Sequence, residues 1–416
     1  MPPVARALVV TLVLLIVPAA WAADLAAAKP EQVGLSSERL ARVTELLRTD
    51  VEKGRLPGAV AVVVRKGRVA YFEAVGFRDN AAGAPLRKDD IFRVYSMTKP
   101  FISVAVMMLR DEGRFDLTDP VSRYLPPLGK LQVGVEKKDP ATGQVTLALE
   151  PSKRDMTIQD LLRHTSGLTY GVFGAGAVKK LYGEHGVDSW DLTNAELIDR
   201  LARVPLRHQP GTAWEYSRST DVLGRLVEVI SGRPLGQFLD ERIYRPLKMT
   251  DTGFWVPNEK QGRIAQPLAN DPDSGRPINV IDVTVPPKYE SGGAGAVSTA
   301  VDYARFSQML LNRGRLDGVR LLARKSVELM TADHLGRLDG PAPGYGFGLG
   351  FAVRREAGVA CWSGTTGEYY WSGLGGTAFW IDPKEELIGI WMMQAPNQRT
   401  HYRQLFKTLV LQAITD

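Results

Sequence analysis

Ser96 and Lys99 form the only S-x-x-K tetrapeptide in this 416-residue chain. Side chains three residues apart on a helix share one face, one turn from each other. A serine oxygen beside a lysine amine is a nucleophile with a base at hand, an arrangement that activates an alcohol without histidine. Chance alone supplies about one such tetrapeptide in a chain of this length and ordinary composition. The motif therefore gains weight from its place. Pro100 follows directly, and an apolar run ends at Gly113. This pattern predicts a helix starting at about Ser96, since proline is tolerated in a first turn, where its missing N–H needs no partner. A helix start offers free N–H groups and a dipole that favours negative charge.

Two further segments hold residues suited to acyl transfer. Pro210 to Arg218 is a turn that delivers Tyr216 just before a helix predicted from Asp221 onward. A tyrosine beside a lysine and a serine can exchange protons with them; the plainer reading is a core tyrosine with its hydroxyl satisfied. Glu368 to Thr377 reads E-Y-Y-W-S-G-L-G-G-T. Glycines within a strand pattern mark a close backbone approach, which an N–H facing a carbonyl oxygen requires; sheet packing behind glycine is the alternative. No serine has glycine at both −2 and +2, so the G-x-S-x-G elbow of common esterases is absent. The five histidines fall in neither H-x-x-H nor H-E-x-x-H spacing, and Cys361 is the only cysteine. A cysteine-built metal site and an intramolecular disulfide are excluded, a zinc hydrolase is unsupported, and a lone cysteine reads first as packing.

These residues need a scaffold, and the pattern supplies one. Gly58 to Arg65 and Arg68 to Gly76 are β-branched runs joined by Lys66-Gly67, a hairpin signal. Near the C-terminus, 345–355, 369–375, 377–382 and 387–394 read as strands, and 400–414 as an amphipathic closing helix. Between these ends, 160–163, 195–202, 221–230 and 235–244 have helical periodicity. Residues 129–155 suggest an excursion hairpin and 257–287 a surface loop. Strands at both ends and helices between predict one sheet built from both termini with a helical insertion. The boundaries expected are 24–110 and 285–416 for the sheet part and 111–284 for the helical part.

Composition is ordinary for a globular protein, 44% hydrophobic and 24% charged. Met1 to Ala22 has the form of an export signal: Arg6, an apolar stretch from Ala7 to Val17, and small residues at Ala20 and Ala22. The stretch is short for a bilayer span, and Pro18 interrupts it. Cleavage after Ala22, a secreted or periplasmic protein and no remaining membrane anchor are expected. The formal charge of +6 falls to +5 when Arg6 is removed, and no long basic run argues for nucleic acid.

Taken in order, the motifs resemble the penicillin-recognising serine hydrolases, on the class C β-lactamase-like branch, and within it the family VIII carboxylesterases and their acyltransferase relatives. Ser96 to Lys99 matches the first motif, Tyr216-Ser217-Arg218 the second and Trp371-Ser372-Gly373 the third, in the W-x-G form of the esterases. Leu161 to Leu168 (L-L-R-H-T-S-G-L) and Gly292 to Phe306 are supporting signatures. The resemblance runs from about residue 30 to the C-terminus. It implies an α/β (α+β) fold of the β-lactamase/transpeptidase type, with an antiparallel sheet flanked by helices and a helical domain. It implies acylation of Ser96, with Lys99 and Tyr216 sharing acid and base work. The oxyanion N–H groups would be those of Ser96 and of Leu374, or of Gly373 if the register shifts. His164 belongs to a structural signature and reads as a turn residue. Where lactamases carry a basic residue in the third motif, this chain has Trp371, and Arg218 replaces the asparagine of Y-x-N. An aromatic wall favours apolar esters, while Arg218 keeps a cationic contact open. The leading expectation is a cofactor-free, metal-free exported carboxylesterase acting on small-molecule esters with short acyl or small aromatic groups. The alternatives are a β-lactamase or D-alanyl-D-alanine peptidase, a transacylase, and a non-catalytic peptidoglycan-binding protein.

Overall fold

The computed structural model describes residues 25–416, so the signal-like segment lies outside the described residues. Eight antiparallel strands form the main sheet. From one edge they run Tyr345–Phe347, Ala352–Arg354, Tyr369–Ser372, Ala378–Asp382, Leu387–Met393, Gly58–Arg65, Arg68–Asp79 and Ala84–Pro85. The two ends of the chain meet at the centre, where Ala59 pairs with Met393 and Arg65 with Leu387. Lys66 and Gly67 both take positive φ, 51° and 72°, the geometry a two-residue hairpin requires.

Every residue of Gly58–Arg65 is buried, because both faces of the sheet are covered. Val60, Val62 and Val64 face the core that contains Phe101 and Ile102 of the Lys99–Asp111 helix. Ala59, Ala61 and Val63 face the opposite layer, formed with the Ser37–Glu52 and Arg399–Leu411 helices. The intervening chain carries the helices Ile158–Leu162, Ala177–Glu184, Asn194–Leu201 and Ser219–Ser231, and the exposed hairpin Gln132–Lys138 and Val145–Pro151. Residues 345–355 form two strands rather than one, since the chain turns at Gly350 (φ 105°), where a Cβ would lie 2.3 Å from Ser103 Oγ. The 235–244 segment is α-helical only to Leu239 and continues as a π turn over Asp240–Tyr244.

Lys99 to Leu109 are buried without a break. The helix that carries the S-x-x-K lysine is therefore the central rod of the molecule, held against Ser219–Ser231. Cys361, read as packing, is exposed.

Candidate active site

The α-helix begins at Lys99 rather than Ser96, and Ser96 stands in a 3₁₀ turn, Tyr95–Thr98, that leads into it. Tyr95 takes φ +45°, a conformation disfavoured for a residue with a side chain. It is over-determined by its contacts. Its carbonyl accepts from Thr98 Oγ1 at 2.6 Å, and its hydroxyl accepts from Ile281 N at 3.2 Å. Tyr216 OH donates to Ser96 Oγ at 2.7 Å, and Lys99 Nζ lies 3.4 Å from the same oxygen. Lys99 also sits 4.5 Å over the Tyr216 ring. Ser96 and Lys99, singled out by spacing, and Tyr216, singled out by its turn, thus meet at one point.

Lys99 is buried and spends its donors fully. Nζ bonds the Gly293 carbonyl at 2.7 Å, Tyr170 OH at 3.2 Å and Ser96 Oγ at 3.4 Å. An ammonium has three N–H donors, and this one has three acceptors. In the neutral amine, the direction facing Ser96 can hold a lone pair. Tyr170 went unread in the sequence. It lies two residues past the Leu161–Leu168 signature, and only folding brings it to Lys99. Burial and the nearby Asp221 push its phenol well above the usual range, so it stays protonated.

The supporting signature holds the tyrosine turn. Residues 164–170 and 215–219 run side by side, with Glu215 N bonded to His164 O (2.9 Å), Arg218 N to Thr169 O (3.3 Å) and Ser166 Oγ to Ser219 Oγ (2.8 Å). His164, at φ +57°, contacts Ser217 Oγ at 3.2 Å and packs 5.1 Å from the Tyr216 ring. Burial, reinforced by Lys99, lowers its pKa well below the ordinary histidine value, so it is neutral. Glu215 gathers Thr169 Oγ1 (2.6 Å), Lys179 (3.1 Å) and His208 (3.6 Å). Burial opposes its charge, but His208, Thr169 and Lys179 outweigh burial and bring its pKa to about 2.

The third segment folds as a tight turn against the Tyr95–Thr98 stretch that holds Ser96. Gly373 N–H donates to Thr377 O at 2.8 Å, so it is already used. The N–H groups of Leu374 and Ser96 have no hydrogen-bond partner among the described residues. Both residues line the same cleft. Of the two oxyanion candidates in this turn, Leu374 has the free donor. A Cβ on Gly373 would lie 2.3 Å from Val94 O, and one on Gly375 would lie 2.8 Å from the Tyr95 ring. These glycines let the turn rest on the residues just before Ser96. Trp371 takes a different place from that expected. It is buried behind Tyr216, at 5.4 Å between rings, rather than in the cleft lining. The strand it belongs to turns it inward, against Phe347.

The cleft over Ser96 has a volume of about 830 Å³. Its aromatic and aliphatic walls come from Phe173, Trp190, Tyr289, Val285 and Leu374. Arg218 lines it but is buried and already paired, 2.9 Å from Asp188 and 3.5 Å from Asp221, with Tyr170 stacked 5.0 Å away. Lys288, at the rim, pairs with Asp191 at 2.9 Å. Among the described residues no group of three or more His, Cys, Asp or Glu side chains is placed to hold a metal ion. No helix among them is long and apolar enough to cross a membrane.

Residues 43–412 match the Beta-lactamase family model. The chain belongs to the beta-lactamase family. It is a serine hydrolase of that family, with esterase and acyltransferase homologues. It is 34% identical over 364 residues to the esterase EstB of Burkholderia gladioli, covering 82% of this chain and 87% of that one. The fold is that of EstCE1, described as a hydrolase with promiscuous acyltransferase activity, at a TM-score of 0.75 and 26% identity, over 91% of this chain and 99% of EstCE1. The simvastatin synthase LovD of Aspergillus terreus superposes with the same TM-score and identity, over 90% and 98%. Within this β-lactamase family fold, the antiparallel sheet and its flanking helices are those the motifs implied.

Proposed function

We propose that this chain is an exported carboxylesterase that acylates Ser96 and hydrolyses small neutral esters with short acyl or small aromatic groups. The observation that carries the reading is the cleft itself. Ser96 Oγ lies between Tyr216 and Lys99 at 2.7 and 3.4 Å, under walls that are largely apolar, and Arg218, the buried cation lining the cleft, is already paired with carboxylates, while Lys288 stands exposed at the rim. An apolar ester gains from those walls, whereas a substrate carboxylate that enters them loses water and finds the buried cation, Arg218, already paired.

In the proposed reaction the Ser96 proton passes to the Tyr216–Lys99 pair as Ser96 Oγ bonds the ester carbonyl carbon. The oxyanion is received by the N–H groups of Ser96 and Leu374. The C–O bond to the alcohol then breaks, and the alcohol leaves with the proton held by the pair. Water repeats the cycle to release the acid and restore Ser96. An alcohol in place of water gives acyl transfer, the activity named for EstCE1, and this is the second reading.

The test is side-by-side kinetics on p-nitrophenyl butyrate and nitrocefin, with a fluorophosphonate label located by mass spectrometry. The ester is expected to exceed the lactam in kcat/KM by about 1000-fold or more, since several kcal/mol of unpaired charge separate them at about 1.4 kcal/mol per tenfold. The label is expected on Ser96, and Ser96→Ala is expected to abolish turnover. Efficient nitrocefin turnover overturns the reading in favour of a β-lactamase. Adding an alcohol acceptor measures the transfer arm. Export is read from Met1 to Ala22 and is checked by the N-terminus of the mature protein, expected at Ala23.

A further inference from the structure

The shortest bond made by Lys99 goes to the Gly293 carbonyl, at 2.7 Å. Asp221 holds that residue from both sides: the Gly292–Gly293 peptide directly, and the Gly293–Ala294 peptide that carries the carbonyl through Ser291 Oγ, which accepts from Ala294 N at 3.1 Å. Its Oδ1 accepts from Gly293 N at 2.9 Å and from Ser291 Oγ at 2.6 Å, and its Oδ2 faces Arg218 Nη1 at 3.5 Å. Asp221 is in the first turn of the Ser219–Ser231 helix and is buried. The approach is possible only because residues 292 and 293 are glycines. A Cβ on Gly293 would lie 2.5 Å from Asp221 Oδ2, and one on Gly292 would lie 2.6 Å from Thr220 O. One short stretch, 216–221, therefore serves both partners of the nucleophile: Tyr216 reaches Ser96 directly, and Asp221 reaches Lys99 through Gly293.

We infer that Asp221 is a positioning residue for Lys99, holding the carbonyl that receives its amine and placing a buried negative charge beside it. This rests on the reaction proposed above. Burial works against the Asp221 charge, but Arg218, Lys99 and Ser291 outweigh burial and keep its pKa below the usual carboxylate value. Lys99 is faced by Ser96, Tyr170, Tyr216 and the Gly293 carbonyl, with neutral His164 behind Tyr216. Beyond Asp221 stand Arg218, Tyr289 and Asp188. Asp221, Arg218 and Asp188 are the charged members of this set.

Asp221→Asn removes the charge while the amide oxygen can still accept from Gly293 and Ser291; its NH2 then faces Arg218 in place of Oδ2, and Arg218 keeps Asp188. Loss of one negative charge disfavours the protonated state of the base. The acid limb of the kcat/KM profile is expected to move down by about one pH unit, the size typical of one close charge. A weaker proton acceptor also lowers the plateau kcat, by about tenfold, with KM changed less than about twofold. Ser291→Ala keeps the charge but cuts the link from Asp221 to the Gly293–Ala294 peptide, since Ser291 Oγ donates to the carboxylate and accepts from Ala294 N. It is expected to lower kcat about three- to tenfold, part of the worth of one lost charge-assisted hydrogen bond, with the acid limb unmoved. Both are measured on p-nitrophenyl butyrate, with circular dichroism to check folding and wild-type fluorophosphonate labelling in parallel. A folded Asp221→Asn protein with the wild-type profile and kcat overturns the role of Asp221 alone. If that variant does not fold, Ser291→Ala decides: a kcat loss at constant KM supports the role, and wild-type kinetics overturns it. Absence of label on wild-type Ser96 overturns the proposed reaction and this inference with it.

Discussion

Gly373→Ala tests the oxyanion turn without touching a side chain that reacts. The added Cβ would lie 2.3 Å from Val94 O and 2.3 Å from Thr377 Oγ1. Ordinary contact requires about 1 Å more, and neither neighbour yields easily. Val94 is buried backbone next to the strained Tyr95, and Thr377 Oγ1 is itself bonded to Val94 O at 3.2 Å. The turn must therefore lift from Val94 by about 1 Å, carrying the Leu374 N–H with it. A misplacement of about 1 Å costs on the order of 100-fold, and loss of one oxyanion donor costs about 100- to 1000-fold in kcat. The expected result is a kcat loss in that range on p-nitrophenyl butyrate with little change in KM. Overpacking at the site is expected to cost about 1–3 kcal/mol of stability, read as a lowered denaturation midpoint. Gly358→Ala is the control, because a Cβ there meets nothing within 4 Å. It is expected to match the wild type in both assays. A folded Gly373→Ala enzyme with wild-type kcat would refute the assignment of the oxyanion donor to this turn.

Tyr216→Phe and Lys99→Ala are each expected to lower kcat by at least about 100-fold, and the double variant by little more, because the two groups act on one proton; multiplicative losses in single-turnover kinetics would show independent roles. Asp302→Asn is expected to stabilise the protein at pH 7 to 8 and not at pH 4. Asp302 is buried, accepts from Asp251 N (2.8 Å) and Thr252 Oγ1 (2.9 Å), and burial raises its pKa to about 6. The folded state then holds a proton that the unfolded state releases near 4, so stability falls as pH rises between those values and the penalty is full above about 6. A gain of about 1–2 kcal/mol at pH 7 is expected, after allowing for the loss of helix-dipole stabilisation. Equal melting shifts at both pH values would contradict the argument.

What was legible in the sequence is what depends on residue type at short range. Lys66-Gly67 between β-branched runs specifies a hairpin locally, and Ser96 and Lys99 meet because one turn joins them. Tyr216 was legible as a turn before a helix, though its partner lies 120 residues away. Tyr170 was not legible, since its value comes from contact with Lys99 across 71 residues and from no spacing along the chain. The Ser37–Glu52 helix went unread although Leu40, Val43 and Leu47 are buried at helical spacing. Trp371 was misplaced because residue type suggested an aromatic wall, while the direction of a strand side chain is set by register. The walls come instead from Phe173 and Trp190, in segments with no motif.

Arg218 bears both on the base and on recognition. From the sequence it was a cation near the nucleophile, free to meet a substrate carboxylate. In the fold it is the hub of a buried cluster, held by Asp188 at 2.9 Å and by Asp221, which also accepts from the N–H of Gly293, the residue whose carbonyl meets Lys99. Swinging the guanidinium to a substrate would leave Asp188 and Asp221 short of a partner. Removing one member of a buried pair costs about 3–5 kcal/mol, which is about a hundredfold or more in binding. A substrate carboxylate at the half-open cleft returns less than this, because it leaves water to make the same bond. The arrangement that ties Asp221 to the Gly293 backbone beside Lys99 thus withdraws the Arg218 cation from recognition, which is the physical ground for proposing uncharged esters as substrates.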